Sequence, residues 1–112
     1  LDKATNIERM VRETFAPLKS EIPVLGDVRG GGAMMVLEFV KEPRTQEPWQ
    51  EFAMETIKLA SRQGVILIRA GLYTNCIRFL PALDIPEEML REALGVVAGA
   101  IRETYQAMGV GA

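Results

Sequence analysis

Val24-Leu25-Gly26-Asp27-Val28-Arg29-Gly30-Gly31-Gly32-Ala33-Met34-Met35-Val36-Leu37-Glu38-Phe39-Val40 is the stretch on which the fold turns. It holds a short strand-like run around Gly26 to Gly30 and a strongly apolar one from Met34 to Val40. Gly30, Gly31 and Gly32 lie between them. Glycine accepts backbone angles that other residues resist, so the spacing predicts two strands joined by a tight turn or bulge.

A second pair of strands lies further along. Val65 to Arg69 and Cys76 to Leu80 flank a loop, Ala70 to Asn75, in which Gly71 and Asn75 are turn residues. Pro81 ends the last strand.

Three helices surround these pairs. Thr5 to Glu21 carries Ile7, Met10, Val11, Phe15 and Leu18 at helical spacing. Thr5-Asn6-Ile7-Glu8 has the spacing of a capping box. Pro17 is expected to kink or shorten this helix, and Pro23 to close it. A polar loop, Glu42 to Glu47, leads to a second helix from Pro48 to Gln63. Its buried face is Trp49, Phe52, Ala53, Ile57 and Ala60, with Gly64 as C-terminal cap. The third helix follows Asp84-Ile85-Pro86. It carries Leu90, Ala93, Leu94, Val97, Ile101, Tyr105 and Met108 and ends at Gly109. The order α-β-β-α-β-β-α predicts an α+β domain: a mostly antiparallel sheet of about four strands covered by helices.

Composition narrows the chemistry. The 112 residues suit one domain, and with 48% of them hydrophobic a real core is available. Net charge is −2 with both signs mixed along the chain, so no basic stripe marks a nucleic-acid surface. No apolar run approaches the length of a membrane helix, and the charged start does not resemble a signal peptide. There is no histidine and one cysteine, Cys76. Histidine-based nucleophilic systems and an internal disulfide are thereby excluded, and a zinc site has almost no ligands. The single cysteine fits a reducing compartment, and the expected location is cytoplasmic. The chain starts at Leu1 in polar sequence, which suggests a fragment.

Arg78 is the sharpest candidate. Side chains alternate along a strand, so Cys76, Arg78 and Leu80 point one way and Ile77 and Phe79 the other. Both faces are otherwise apolar, which predicts a buried or nearly buried strand. A guanidinium there needs a carboxylate, a phosphate, backbone carbonyls or a water-filled cleft. Glu38 or Glu92 would serve as an internal partner, or the strand edge would open to solvent. A bound carboxylate would fit the same planar fork.

The other candidates have bland readings. Arg29-Gly30-Gly31-Gly32 lacks both the trailing Gly-Lys-Ser/Thr and the six-residue frame of known phosphate loops, so a hairpin turn is preferred. Lys58 is read as solvated, and Glu87-Glu88 as complementing a helix dipole. Cys76 is read as a small core residue. Tyr73 and Asn75 either line a site with Arg78 or shape its loop.

Gly71-Leu72-Tyr73-Thr74-Asn75-Cys76-Ile77-Arg78-Phe79-Leu80-Pro81-Ala82-Leu83 resembles the substrate-arginine segment of class III pyridoxal-phosphate aminotransferases. The 4-aminobutyrate aminotransferase branch typically has Gly-x-Tyr-x-Asn-x-Ile-Arg-Phe-Leu-Pro-Pro-Leu there. Asp27-Val28-Arg29-Gly30-Gly31-Gly32-Ala33-Met34 resembles the family's Arg-Gly-x-Gly-Ala-Met strand pair. The likeness runs from about Ile7 to Tyr105. Ala82 departs from it where a second proline is usual, and Gly31 where Leu or Lys often sits.

The resemblance implies that residues 1–112 are the C-terminal small domain of such an enzyme, inactive when isolated. It implies that Arg78 binds the carboxylate of an amino-acid or 2-oxo-acid substrate, and that no catalytic or cofactor-binding residue lies here. Pyridoxal phosphate and its lysine would belong to a large domain, through which the parent would form a homodimer. A free-standing ligand-binding module, or a structural or dimerisation module with Arg78 in an internal ion pair, are the alternatives.

Overall fold

A computed structural model describes residues 2–109. It contains α1 (Asp2–Glu21), β1 (Leu25–Gly31), β2 (Met34–Phe39), α2 (Gln50–Arg62), β3 (Ile68–Ala70), β4 (Cys76–Phe79) and α3 (Glu87–Thr104). A π-helical turn, Tyr105–Gly109, follows α3. The class and the α-β-β-α-β-β-α order are those the sequence predicts. The four strands form one antiparallel sheet in the order β1-β2-β4-β3.

The apolar stripe of α1 does what its spacing predicts: Ile7, Met10, Val11, Phe15 and Leu18 are all buried. The helix begins before Thr5, however, so the expected capping box does not form. A box satisfies the free donors of a first turn, and here Asp2 to Ala4 already continue the helix. The Glu8 carboxylate accepts instead from the Gly32 backbone N–H, at 2.9 Å, and from Arg12. This ties α1 to the β1–β2 turn. Pro17 does not shorten the helix, which continues to Glu21.

Gly31 pairs with Met34, so Gly32 and Ala33 form a two-residue turn. Gly30 has φ +132°, and a Cβ there would stand 2.2 Å from the Met34 carbonyl oxygen. That position accepts only glycine.

The second helix starts at Gln50, two residues after its predicted start, because Pro48 is held in a bridge with Val40. Its C-terminus is closed as expected by Gly64, at φ +88°. Gly64 N–H donates to Ser61 and Val65 N–H to Ala60, each at 3.0 Å, a Schellman cap. The cap takes up the N–H of Val65, and the third strand is accordingly later and shorter than predicted.

The core lies between sheet and helices. Met35, Leu37, Phe39, Ile77 and Phe79 project from one sheet face into it and are buried, as are Phe52 of α2 and Leu94, Val97 and Ile101 of α3. Thr56 and Thr104, fully buried, hydrogen-bond across α2 and α3. The other sheet face carries no helix among the described residues.

Candidate functional site

Register places the functional side chains on that open face. Val36 of β2 and Ile68 of β3 stand directly opposite Arg78 of β4, and Arg29 of β1 stands opposite Val36. One cross-sheet row is therefore Arg29, Val36, Arg78, Ile68. The next row is Asp27, Glu38, Cys76, Ala70. Ile68, Met34 and Leu80 add exposed apolar surface around Arg78.

Arg78 is exposed, which corrects the expectation of a strand buried on both faces. The alternation is as predicted: Ile77 and Phe79 are buried while Arg78 and Leu80 are exposed. What differs is the cover: Cys76 on the same face is buried beside Gly71 and Arg29, whereas Arg78 is left exposed. Among the described residues Arg78 forms no ion pair with Glu38 or with Glu92. A solvated guanidinium has no electrostatic need for one.

Glu38 is engaged elsewhere, by Arg29, a residue to which the sequence reading gave no partner. Arg29 donates to Glu38 at 2.6 Å and to Asp27 at 3.1 Å, and approaches the Cys76 sulfur at 3.7 Å. Period-two spacing was the available signal, because it puts Asp27 and Arg29 on one face of β1. Its pairing with a strand that carries Glu38 on the same face completes the cluster. The Glu38 hydrogen bond raises the basicity of Arg29, burial opposes it, and Asp27 adds to the rise. Burial pushes the Cys76 thiol up, and Arg29 only partly offsets it. Cys76 is 2% exposed and behaves as the small core residue expected of it.

The loop before Arg78 is shaped by Asn75, which is buried and donates its side-chain N–H to the Phe39 carbonyl at 2.9 Å. Phe39 N–H returns a bond to the Asn75 carbonyl, at 3.0 Å. Tyr73, by contrast, is largely exposed. Lys58 is exposed and pairs with Glu55 one turn away, as its bland reading predicts. Glu87 opens α3 and pairs with Arg91.

Chemically, the open face offers a guanidinium in an apolar surround, with no ion pair among the described residues. It can grip a planar anion with two parallel hydrogen bonds. All four lysines are exposed: Lys3 and Lys19 lie on α1, Lys58 on α2 beside Glu55, and Lys41 pairs with Glu47 after β2. Among the described residues no cluster of His, Cys, Asp and Glu is arranged to hold a metal ion. No described helix is long and apolar enough to cross a membrane.

The chain is similar to known proteins over most of its length. The chain is 37% identical over 98 residues to the 4-aminobutyrate aminotransferase of Mycobacterium leprae, covering 88% of this chain and 22% of that protein. It is 35% identical over 100 residues to the isoleucine 2-epimerase of Lentilactobacillus buchneri, covering 89% of this chain and 22% of that protein. Its fold matches the omega transaminase of Pseudomonas jessenii, solved in complex with PMP, with a TM-score of 0.84 at 22% identity. That match covers 98% of this chain and 24% of the solved one. The chain thus spans about a quarter of the length of the curated relatives it matches. The aminotransferase class-III family matches residues 1–101, and the chain belongs to that family.

Proposed function

We propose that residues 1–112 are the small domain of a pyridoxal-phosphate-dependent transaminase and that Arg78 binds the substrate carboxylate. The reading takes the enzyme to be of the 4-aminobutyrate:2-oxoglutarate type. The observation that carries it is Arg78 on the open sheet face, without an ion-pair partner among the described residues and ringed by Val36, Ile68 and Leu80. An arginine left solvated on an apolar surface is suited to a carboxylate that arrives from outside.

Bound pyridoxal phosphate supplies the electron sink for amino-group transfer, and it is held through a lysine. The residues described here do not fit that task, since a Schiff-base lysine is desolvated or set beside another cation and all four lysines are exposed, Lys41 and Lys58 beside glutamates. In this reading the cofactor belongs to the remainder of the relatives' length, and the chain alone is inactive. The part played by this domain is orientation. Two hydrogen bonds to the carboxylate fix the direction in which the substrate amino group points, turning binding into alignment. A homodimeric parent is part of the same reading.

The test is Arg78→Ala in the full-length enzyme. A charge-assisted contact is worth about 1.5–3 kcal/mol, so kcat/KM for glutamate and 2-oxoglutarate is expected to fall about ten- to hundredfold. Cofactor absorbance should be retained. Unchanged kinetics reject the assignment. Amino-acid inversion without consumption of an oxo acid would replace transamination as the reaction while leaving Arg78 its role.

A further inference from the structure

The internal partner that the sequence offers Arg78 is close at hand. Val36 stands opposite Arg78 and Glu38 opposite Cys76, so Glu38 and Arg78 are diagonal neighbours on one sheet face. Diagonal positions lie about 7–8 Å apart, within reach of long side chains. Glu38 is thus within reach of Arg78, but Arg29 holds it at 2.6 Å from the far side. Asp27 secures Arg29 in turn, at 3.1 Å.

We propose that Arg29 is a positioning residue: by engaging Glu38 it keeps that carboxylate off Arg78, which then meets the substrate with its guanidinium unengaged. This rests on the carboxylate-binding role of Arg78. A substrate that had to displace Glu38 would bind only the fraction of molecules in which Arg78 was open, and its apparent affinity would fall by that fraction. Replacing Arg29 has a second effect in the same direction. Asp27 and Glu38 face each other across β1 and β2. Without the cation between them they repel, and Glu38 is driven toward Arg78.

The experiment is Arg29→Gln in the full-length enzyme, read by crystal structure and by steady-state kinetics. Glu38 is expected to move within about 4 Å of the Arg78 guanidinium. KM for the carboxylate substrate is expected to rise about fivefold, the size of a half-exposed ion pair, with kcat little changed. Adding Glu38→Gln should remove the KM defect, because the competitor has lost its charge. Adding Asp27→Asn should relieve only the part that repulsion contributes, because Glu38 keeps its charge and Asp27 lies a strand further from Arg78. Arg29→Lys keeps the charge and should recover most of the affinity. An unchanged KM in Arg29→Gln overturns the proposal, as does a defect that Glu38→Gln fails to relieve. If Arg78→Ala is impaired and Arg29→Gln is not, only the role of Arg29 falls. If Arg78→Ala is itself neutral, the carboxylate reading falls and this inference with it.

Discussion

The two faces of the sheet are built from the same strands and have opposite characters. Met35, Leu37, Phe39, Ile77 and Phe79 point into the helices, at most 9% exposed. One residue along each strand, Met34, Glu38, Arg78 and Leu80 point the other way, and there a charged cluster and exposed apolar groups share the surface. The pleat alone separates them. Residues adjacent in sequence therefore answer to different demands: packing on one side, and availability to something outside on the other.

The largest expected effect tests that separation directly. Phe39→Ala should lower the stability of the chain by about 3–5 kcal/mol in denaturant unfolding, the cost of a large cavity. Arg78→Ala should stay within about 0.5 kcal/mol of the parent, since it removes an exposed side chain with no ion pair among the described residues. Comparable losses in the two variants would mean that the open face also carries the fold. The hairpin turn sharpens the contrast over a single residue. Gly30→Ala drives a Cβ into the Met34 carbonyl at a positive φ, so a loss of about 2–3 kcal/mol is expected. A Cβ at Gly31 meets nothing, and Gly31→Ala should change the midpoint by less than about 0.5 kcal/mol.

The smallest effect concerns pH. The Gly32 N–H bond and then Arg12 hold the Glu8 carboxyl below the usual carboxylate range. Because the folded value is depressed, the contribution to stability is complete above the unfolded pKa. It is lost as pH falls through the folded one. An NMR titration of the Glu8 carboxyl should show the lowered midpoint. An Arg12→Gln variant, which removes the second of the two, should move that midpoint part of the way back up. A Glu8 midpoint at the ordinary value would mean that α1 is not tied to the turn.

Much of this was legible in the sequence, for local reasons. The stripe of α1, the glycine turn and the Gly64 cap each follow from spacing and backbone freedom. What was not legible depends on partners distant in the chain. Nothing in Thr5 to Glu8 says that a Gly32 N–H will claim the carboxylate. Nothing in Val65 says that its N–H will close a helix. Cys76 to Leu80 is apolar on both sides of Arg78, and such a run reads as covered on both faces. The structure covers one face in full and the other at Cys76 but not at Arg78. Arg29 was passed over because its partner Glu38 sits on another strand. The engagement of Glu38 emerges only from the register between β1 and β2.

The order β1-β2-β4-β3 leaves two strands unpaired along one side. Such borders invite other chains to add on, and proteins blunt them with brevity, charge and bulges. Here β3 has three residues. On β1 the register slips between Leu25 and Asp27, and the Asp27–Arg29 pair and two glycines follow. The ion pair that sets the open face in order thus also lies on a strand poorly suited to templating an aggregate. Removing Arg29 would alter both at once, so its loss should be watched for in solubility as well as in substrate affinity.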